Sequence, residues 1–358
     1  MLFVRPGRLS DLDQIEAMAR AVRPILHSLP PDRRALEARL ALSQDSFRAD
    51  VDTPGEEFYL FVLEDAASGR LFGTASIVAS AGYAEPFYAF RNDALIHASR
   101  ELKVKRRVHA LTMSHQLSGK SRLTGYYLDT MTSPELDPAL IARLLSRARL
   151  MFIAQHRQRF APEIFTVLVG ITDENGVSPF WEAVGRKFFK RDFAEIELAS
   201  GGRSQTFIAE IMPSYPLYVP LLPPDAQRVL GEPHPNAVQP YSIHVEDGFE
   251  PDGFVDIFDA GPVLTANIAI CETVRNGMQR RVIRTGETVN GATPYLVANA
   301  LTDEFRCAIA YLPNQQLNQP AMQLPVDLAL ADALADRLLL ANGDLIRCAP
   351  LNSPGEGQ

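Results

Sequence analysis

Leu2, Phe3 and Val4 make a short apolar run that Pro6 closes, and Leu12, Ile15, Met18, Ala19 and Val22 then recur at helical spacing. A strand followed by a helix is the expectation. Ser10 stands where an N-cap is needed, with Asp11 and Asp13 in the positive first turn. A second helix is expected from Pro31 to Phe47, with Leu36, Leu40, Leu42 and Phe47 as an imperfect apolar face. Phe58 to Glu64 and Leu71 to Ala79 are rich in aromatic and β-branched residues and flank a short polar turn, which predicts an antiparallel hairpin. Gly82 to Arg107 shows no period and reads as an irregular, polar-aromatic insertion. Strands are expected at Val108 to Met113, Leu123 to Leu128, Ile164 to Val169 and Thr206 to Ile211. Leu136 to Gln155 reads as a helix whose face is Leu140, Leu144, Leu145, Ala148, Met151 and Phe152. Ser178 and Pro179 open a shorter helix. This order, β-α-α-β-β-β-β-α-β-α-β, predicts an α/β (α+β) domain with a partly antiparallel sheet.

Prolines at 213, 216, 220, 223 and 224 then punctuate the chain. They divide it into a first domain over 1–215, a second region over 216–285 and a small strand-rich C-terminal module over 286–350. The second region is expected to hold a short helix, the loop Pro233-His234-Pro235 and strands around Phe254 to Phe258. The third is expected to end in a helix near Leu328 to Leu340, and Asn352 to Gln358 in a frayed tail.

Composition narrows the class without choosing a chemistry. The 358 residues are 46% hydrophobic and 22% charged, as expected of a packed globular protein of two or three parts. A net charge of -8 gives no reason to expect nucleic acid or an anionic membrane as partner. Cys271, Cys307 and Cys348 are odd in number and far apart, which fits neither a disulfide framework nor a metal pattern. With no leader-like N-terminus and no long apolar run, a cytoplasmic location is expected.

Local strings point further. Tyr59-Leu60-Phe61-Val62-Leu63-Glu64-Asp65, Glu85-Pro86-Phe87-Tyr88, His97-Ala98-Ser99, Ser178-Pro179-Phe180-Trp181 and Asp256-Ile257-Phe258-Asp259-Ala260-Gly261-Pro262 resemble, in order, signatures of the arginine N-succinyltransferase family. So do Ser28-Leu29-Pro30, Phe207 to Pro213 and Tyr218 to Pro223. The resemblance runs from residue 1 to about 345. Ser80-Ala81-Gly82, Phe90-Arg91-Asn92 and Thr124-Gly125-Tyr126-Tyr127 resemble the alpha type of the two-chain enzyme. The resemblance implies a GNAT-like acyltransferase fold. It implies transfer of a succinyl group from succinyl-CoA, as co-substrate rather than bound cofactor, to the α-amino group of arginine or ornithine. It also implies a homologous beta subunit as partner, and no metal.

The same resemblance makes His234 the general acid/base and Tyr126 a contact for the acyl-CoA. Each also reads as an ordinary residue, a loop histidine and a strand tyrosine. Glu85, Arg91, His97 and Ser99 are candidate substrate contacts because binding residues concentrate in irregular polar segments; a surface loop with internal ion pairs is the alternative. Asp256 is a candidate for a cationic substrate, although its odd separation from Asp259 would send the two to opposite faces of a regular strand. The run Lys103, Lys105, Arg106 and Arg107 reads as a contact for the 3′-phosphate of CoA or as a solvated strand edge.

One expected feature is missing. A pyrophosphate is ordinarily held by a glycine-rich, basic strand-to-helix turn. Leu128 to Pro138 contains no glycine and no basic residue, and Pro134, Glu135, Asp137 and Pro138 remove donors or add negative charge.

Overall fold

The computed structural model describes residues 1–22, 29–129, 137–192, 206–212, 214–286, 291, 293–313 and 326–351. The first strands are β1 (Leu2–Pro6), β2 (Phe58–Asp65), β3 (Leu71–Val78), β4 (Ala89–Ser99), β5 (Val104–Ser114), β6 (Ser121–Leu128) and β7 (Glu163–Val167). There follow β8 (Leu217–Tyr218), β9 (Glu250–Val255), β10 (Pro262–Asn267), β11 (Met278–Thr285), β12 (Thr293–Ala298), β13 (Cys307–Leu312), β14 (Val326–Ala331) and β15 (Leu345–Pro350). They form one mixed sheet in the order β14-β11-β15-β12-β13-β1-β2-β3-β6-β7-β10-β9-β4-β5-β8. β6 with β7 and β11 with β14 are parallel pairs; β1, β2, β3 and β6 pair antiparallel in turn. The α/β architecture with a partly antiparallel sheet is therefore as expected.

Three helices set the layers around β2. α1 (Leu12–Ala21) and α2 (Arg33–Arg48) cover one face, where Ile15, Leu36 and Leu40 pack on Leu60 and Val62. α3 (Pro138–Gln155) covers the other, where Leu144, Leu145, Ala148, Met151 and Phe152 pack on Tyr59, Phe61 and Leu63. β2 is buried on both sides, so its sequence is a continuous apolar run rather than an alternation. The Phe152 ring lies 5.4 Å from Phe61 and 5.2 Å from Phe305, edge-on to both. Asp32 caps α2, accepting from Ala35 N at 2.8 Å, and Asp137 caps α3, accepting from Ala139 N at 2.9 Å, with Pro138 in the first turn.

The structure departs from expectation in several elements. Residues 82–88 are irregular as expected, but Ala89 to Arg107 is not: β4 and β5 form a long hairpin in register from Ala89↔Ser114 to Ser99↔Val104. Its outer half is exposed on both faces, so burial imposes no alternation on the sequence. Thr206–Ile211 is a helix, not a strand; Met212 N donates to Ile208 O at 2.7 Å, and both side chains pack in the cluster around Trp181. That packing overrides the strand propensity of Thr206, Phe207 and Ile208. Leu328 begins no helix: Leu328 and Leu330 are buried positions of β14, and the helix is Asp332–Arg337. Ser10 does not cap α1. Asp11 holds that corner, accepting from Arg8 N and from the buried Arg5 at 2.7 and 3.0 Å. Ser178 does cap its helix, accepting from Trp181 N at 3.2 Å. The tail Asn352 to Gln358, Ser28 and Thr130 to Leu136 lie outside the described residues. Among the described residues no helix is long and apolar enough to cross a membrane.

Candidate active site

β6 and β7 pair only from Ser121↔Ile164 to Leu123↔Thr166. Past that point they part, and a cavity of about 540 Å³ opens, lined by Thr124 to Leu128 from one strand and Thr166 to Val169 from the other. The divergence has a local cause. β3 pairs Thr74 with Tyr127 but Ser76 with Thr124, so β6 carries one extra residue there. Gly125 takes it up at φ 63°, and a Cβ would stand 2.7 Å from Ser76 Oγ. A bulge of this kind bends the strand that carries it. Among the described residues no strand pairs with the inner edge of β6 beyond Leu123, which leaves that edge to meet an extended ligand.

His234 is fixed over this opening by backbone contacts. Gly170 and Pro233 form a bridge, and His234 N donates to Val169 O at 2.8 Å. The ring's Nδ1 accepts from Asn236 N at 3.1 Å, so in the neutral imidazole the proton sits on Nε2. Burial lowers the pKa of the ring, which is then neutral at pH 7 with an Nε2–H donor to offer.

Asp256 and Asp259 both line the cavity. They do not lie on a regular strand. Residues 257–259 form a tight turn, closed by Ala260 at φ 59°, and this bend brings both carboxylates to one side. Asp256 caps the turn, accepting from Phe258 N at 2.8 Å and Asp259 N at 3.3 Å. Asp259 accepts from Gly170 N at 2.7 Å and Gly261 N at 2.8 Å. A Cβ on either glycine would stand 2.9 Å from Asp259 Oδ1. Burial first, and the charge of Asp256 second, hold Asp259 well above the ordinary carboxylate range.

Tyr126 also lines the cavity, its OH 3.5 Å from Ala142 O, and burial raises its pKa. His234, Tyr126 and Asp256 are therefore brought together. Glu85, Arg91, His97 and Ser99 are not among the lining residues. Arg91 pairs with Asp93 at 2.8 Å, Ser99 Oγ accepts from Leu102 N at 3.2 Å at the hairpin turn, His97 lies edge-on to Tyr218 at 6.2 Å, and Glu85 is exposed. Lys103 sits in that turn at φ 51°, and Lys105 to Arg107 are exposed on β5.

Sequence reasoning passed over Arg122, Arg149 and His244, which also face the cavity. Arg149 is held by Ser146 Oγ at 3.0 Å, Ser146 O at 3.1 Å and Thr124 O at 3.3 Å. His244 packs at a tilt against Phe249, ring centroids 5.0 Å apart, and burial, then Arg149 and Arg147, keep it neutral. The only early signal was a positive residue inside an otherwise apolar strand or helix pattern. The three cysteines are buried and free; burial pushes the Cys271 and Cys348 thiols up to about 12, and none lines the cavity. Among the described residues, no group of three His, Cys, Asp or Glu is placed to hold a metal. The cavity thus offers a neutral imidazole donor, two carboxylates and two guanidinium groups, a set suited to proton transfer at an amine and to a ligand carrying both signs of charge.

Comparison with known proteins adds a second line of argument. Residues 2–273 match a family model described as arginine N-succinyltransferase beta subunit. The chain is 44% identical over 311 residues to arginine N-succinyltransferase subunit alpha of Pseudomonas aeruginosa, covering 86% of this chain and 90% of that one. It is 34% identical over 356 residues to subunit beta of the same organism, covering 99% and 100%. Among solved structures, arginine/ornithine succinyltransferase subunit AI from Pseudomonas aeruginosa superposes with a TM-score of 0.86 at 39% identity, covering 99% of each chain.

Proposed function

The chain belongs to the arginine N-succinyltransferase family, whose members are acyltransferases, and on that premise we propose that it is an alpha-type subunit working in a hetero-oligomer with a beta-type chain. Its reaction in this reading joins the succinyl group of succinyl-CoA to the α-amino group of arginine or ornithine. The higher identity to the alpha relative supports the subunit type. A GNAT-like reading of the fold is supported by the element order and by the opening between the parallel strands β6 and β7.

The observation that carries the reaction is the bulge at Gly125, which parts β6 from β7 beneath His234. The thioester enters there, its pantetheine amides against the inner edge of β6 near Tyr126. The substrate ammonium faces the Asp256–Asp259 turn, and Asp259, held above the ordinary carboxylate range, is the group suited to take its proton. The freed amine attacks the thioester carbon, an amide C–N bond forms, the C–S bond breaks, and the proton that the nitrogen sheds on becoming an amide goes to the departing thiolate. His234 Nε2–H hydrogen-bonds the carbonyl oxygen as it gains charge and the sulfur as it leaves. No covalent intermediate on the protein is required.

Thiol release from succinyl-CoA with arginine tests this reading. His234→Ala is expected to slow the assembled enzyme by roughly a hundredfold or more; unchanged rates would remove His234 from the mechanism. The second reading, a non-catalytic structural or regulatory subunit that stabilises a catalytic beta chain, is favoured by one feature: the absence of glycine and basic residues from Leu128 to Pro138. Turnover by the isolated chain would exclude it. Turnover that needs the beta chain but survives both His234→Ala and Asp259→Asn would support it.

A further inference from the structure

Arg122 makes no hydrogen bond and no ion pair among the described residues, although its guanidinium borders the cavity and its Nε is buried. It projects from the last stretch of β6 still paired with β7, opposite Phe165. The Phe87 ring, 4.8 Å away, supports it from one side. Asp256 feels its charge without touching it, and both hydrogen bonds recorded for that carboxylate come from its own turn. Arg149, the neighbouring cation, is taken up by carbonyl and hydroxyl oxygens. A cation buried at one atom and lacking a contacting anion is costly unless a ligand completes it. The planar fork of a guanidinium matches a carboxylate.

We propose that Arg122 is the carboxylate anchor of this cavity, holding a carboxylate of a reactant opposite the acidic Asp256–Asp259 turn, which faces the acceptor's ammonium group. The assignment rests on the acyl-transfer reading above, in which both reactants carry such a group. The donor has the distal carboxylate of its succinyl chain, and the acceptor amino acid has its α-carboxylate.

The test is calorimetric titration of the full chain, each ligand alone so that nothing turns over. The donor pair is succinyl-CoA and butyryl-CoA, equal in chain length but differing in the carboxylate. The acceptor pair is arginine and agmatine, which lacks it. The wild type is expected to prefer the carboxylate-bearing member of at least one pair by about tenfold or more. Arg122→Met is expected to abolish that preference while leaving the affinity for the member without the carboxylate within about twofold. Arg122→Lys, which keeps the charge without the fork, is expected to restore part of it. Loss within the donor pair places the succinyl carboxylate on Arg122; loss within the acceptor pair places the amino-acid carboxylate there. Persistence of both preferences in a folded Arg122→Met, or no preference in the wild type, overturns the anchor while leaving the acyl-transfer reading intact. Failure of the wild type to bind any of the four ligands overturns both. Unfolding temperatures of the variants separate a folding defect from a binding one. If Arg122→Met does not fold, Arg122→Lys decides: an undiminished preference there overturns the need for the fork.

Discussion

Burial of single polar side chains sets two measurable properties of this chain. At the end of α3 the His156 ring packs 4.6 Å from Phe152, and its Nε2 is buried without a hydrogen-bond partner among the described residues. Burial, then the charge of Arg159, lowers its pKa to about 4. A folded-state value below the unfolded one means that stability is full above about pH 6.5 and is lost as pH falls toward 4, where the unfolded chain takes up a proton the folded one refuses. The loss approaches about 3 kcal/mol for this group alone. His244, buried and pushed the same way, adds to it. Urea midpoints measured between pH 7.5 and 4.5 should therefore fall, and His156→Leu should flatten the curve without abolishing it; an equally steep curve in the variant would place the effect elsewhere. Arg147 is the second case. It bonds Asp247 at 2.9 Å and Glu246 at 2.9 Å, and also reaches Leu351 O. Asp247 is itself buried. Arg147→Ala leaves that carboxylate uncompensated and should cost about 3–5 kcal/mol in denaturant unfolding.

At the scale of elements, the bulge in β6 joins fold to site. Gly125→Ala forces a side chain into the left-handed region against Ser76, and about 1–3 kcal/mol of stability should be lost. If relaxation straightens β6, the cavity narrows as well, so thiol release should fall more than the unfolding temperature alone explains. Unaltered turnover with reduced stability would show the bulge to be structural only. β2, β3 and α3 were legible from sequence because burial fixed their apolar patterns, and Ser178 caps as read, whereas α2 starts at Arg33 with Asp32 as its cap rather than at Pro31. The β4–β5 hairpin was not, because its outer half buries neither face. Thr206–Ile211 was not, because packing against Trp181 rather than local propensity decides it. The cavity was legible in part. His234, Tyr126 and Asp256 carried family signatures, whereas Arg122 matters only through the strand divergence and the missing counter-ion, neither of which is local in sequence.

Over the whole molecule, the end of the family match at residue 273 does not mark a separable unit. Leu296, Phe305, Cys307, Ala349 and Leu351 come from beyond it and pack in the same core as α3. β11, β12, β13 and β15 also extend the sheet on the far side of β1. A chain ending at residue 273 should therefore elute as aggregate or fail to fold, with β1 an unprotected edge and Phe152 stripped of its contact with Phe305; a monodisperse, cooperatively unfolding fragment would refute this. The pairing of Phe3 with Ala308 has a consequence for biosynthesis. β1 leaves the ribosome some three hundred residues before this partner, an interval of roughly 15–60 s at ordinary translation rates. Through that interval the N-terminal edge stays open on the nascent chain, and the cell must keep it apart from the identical edges of neighbouring chains on the same message.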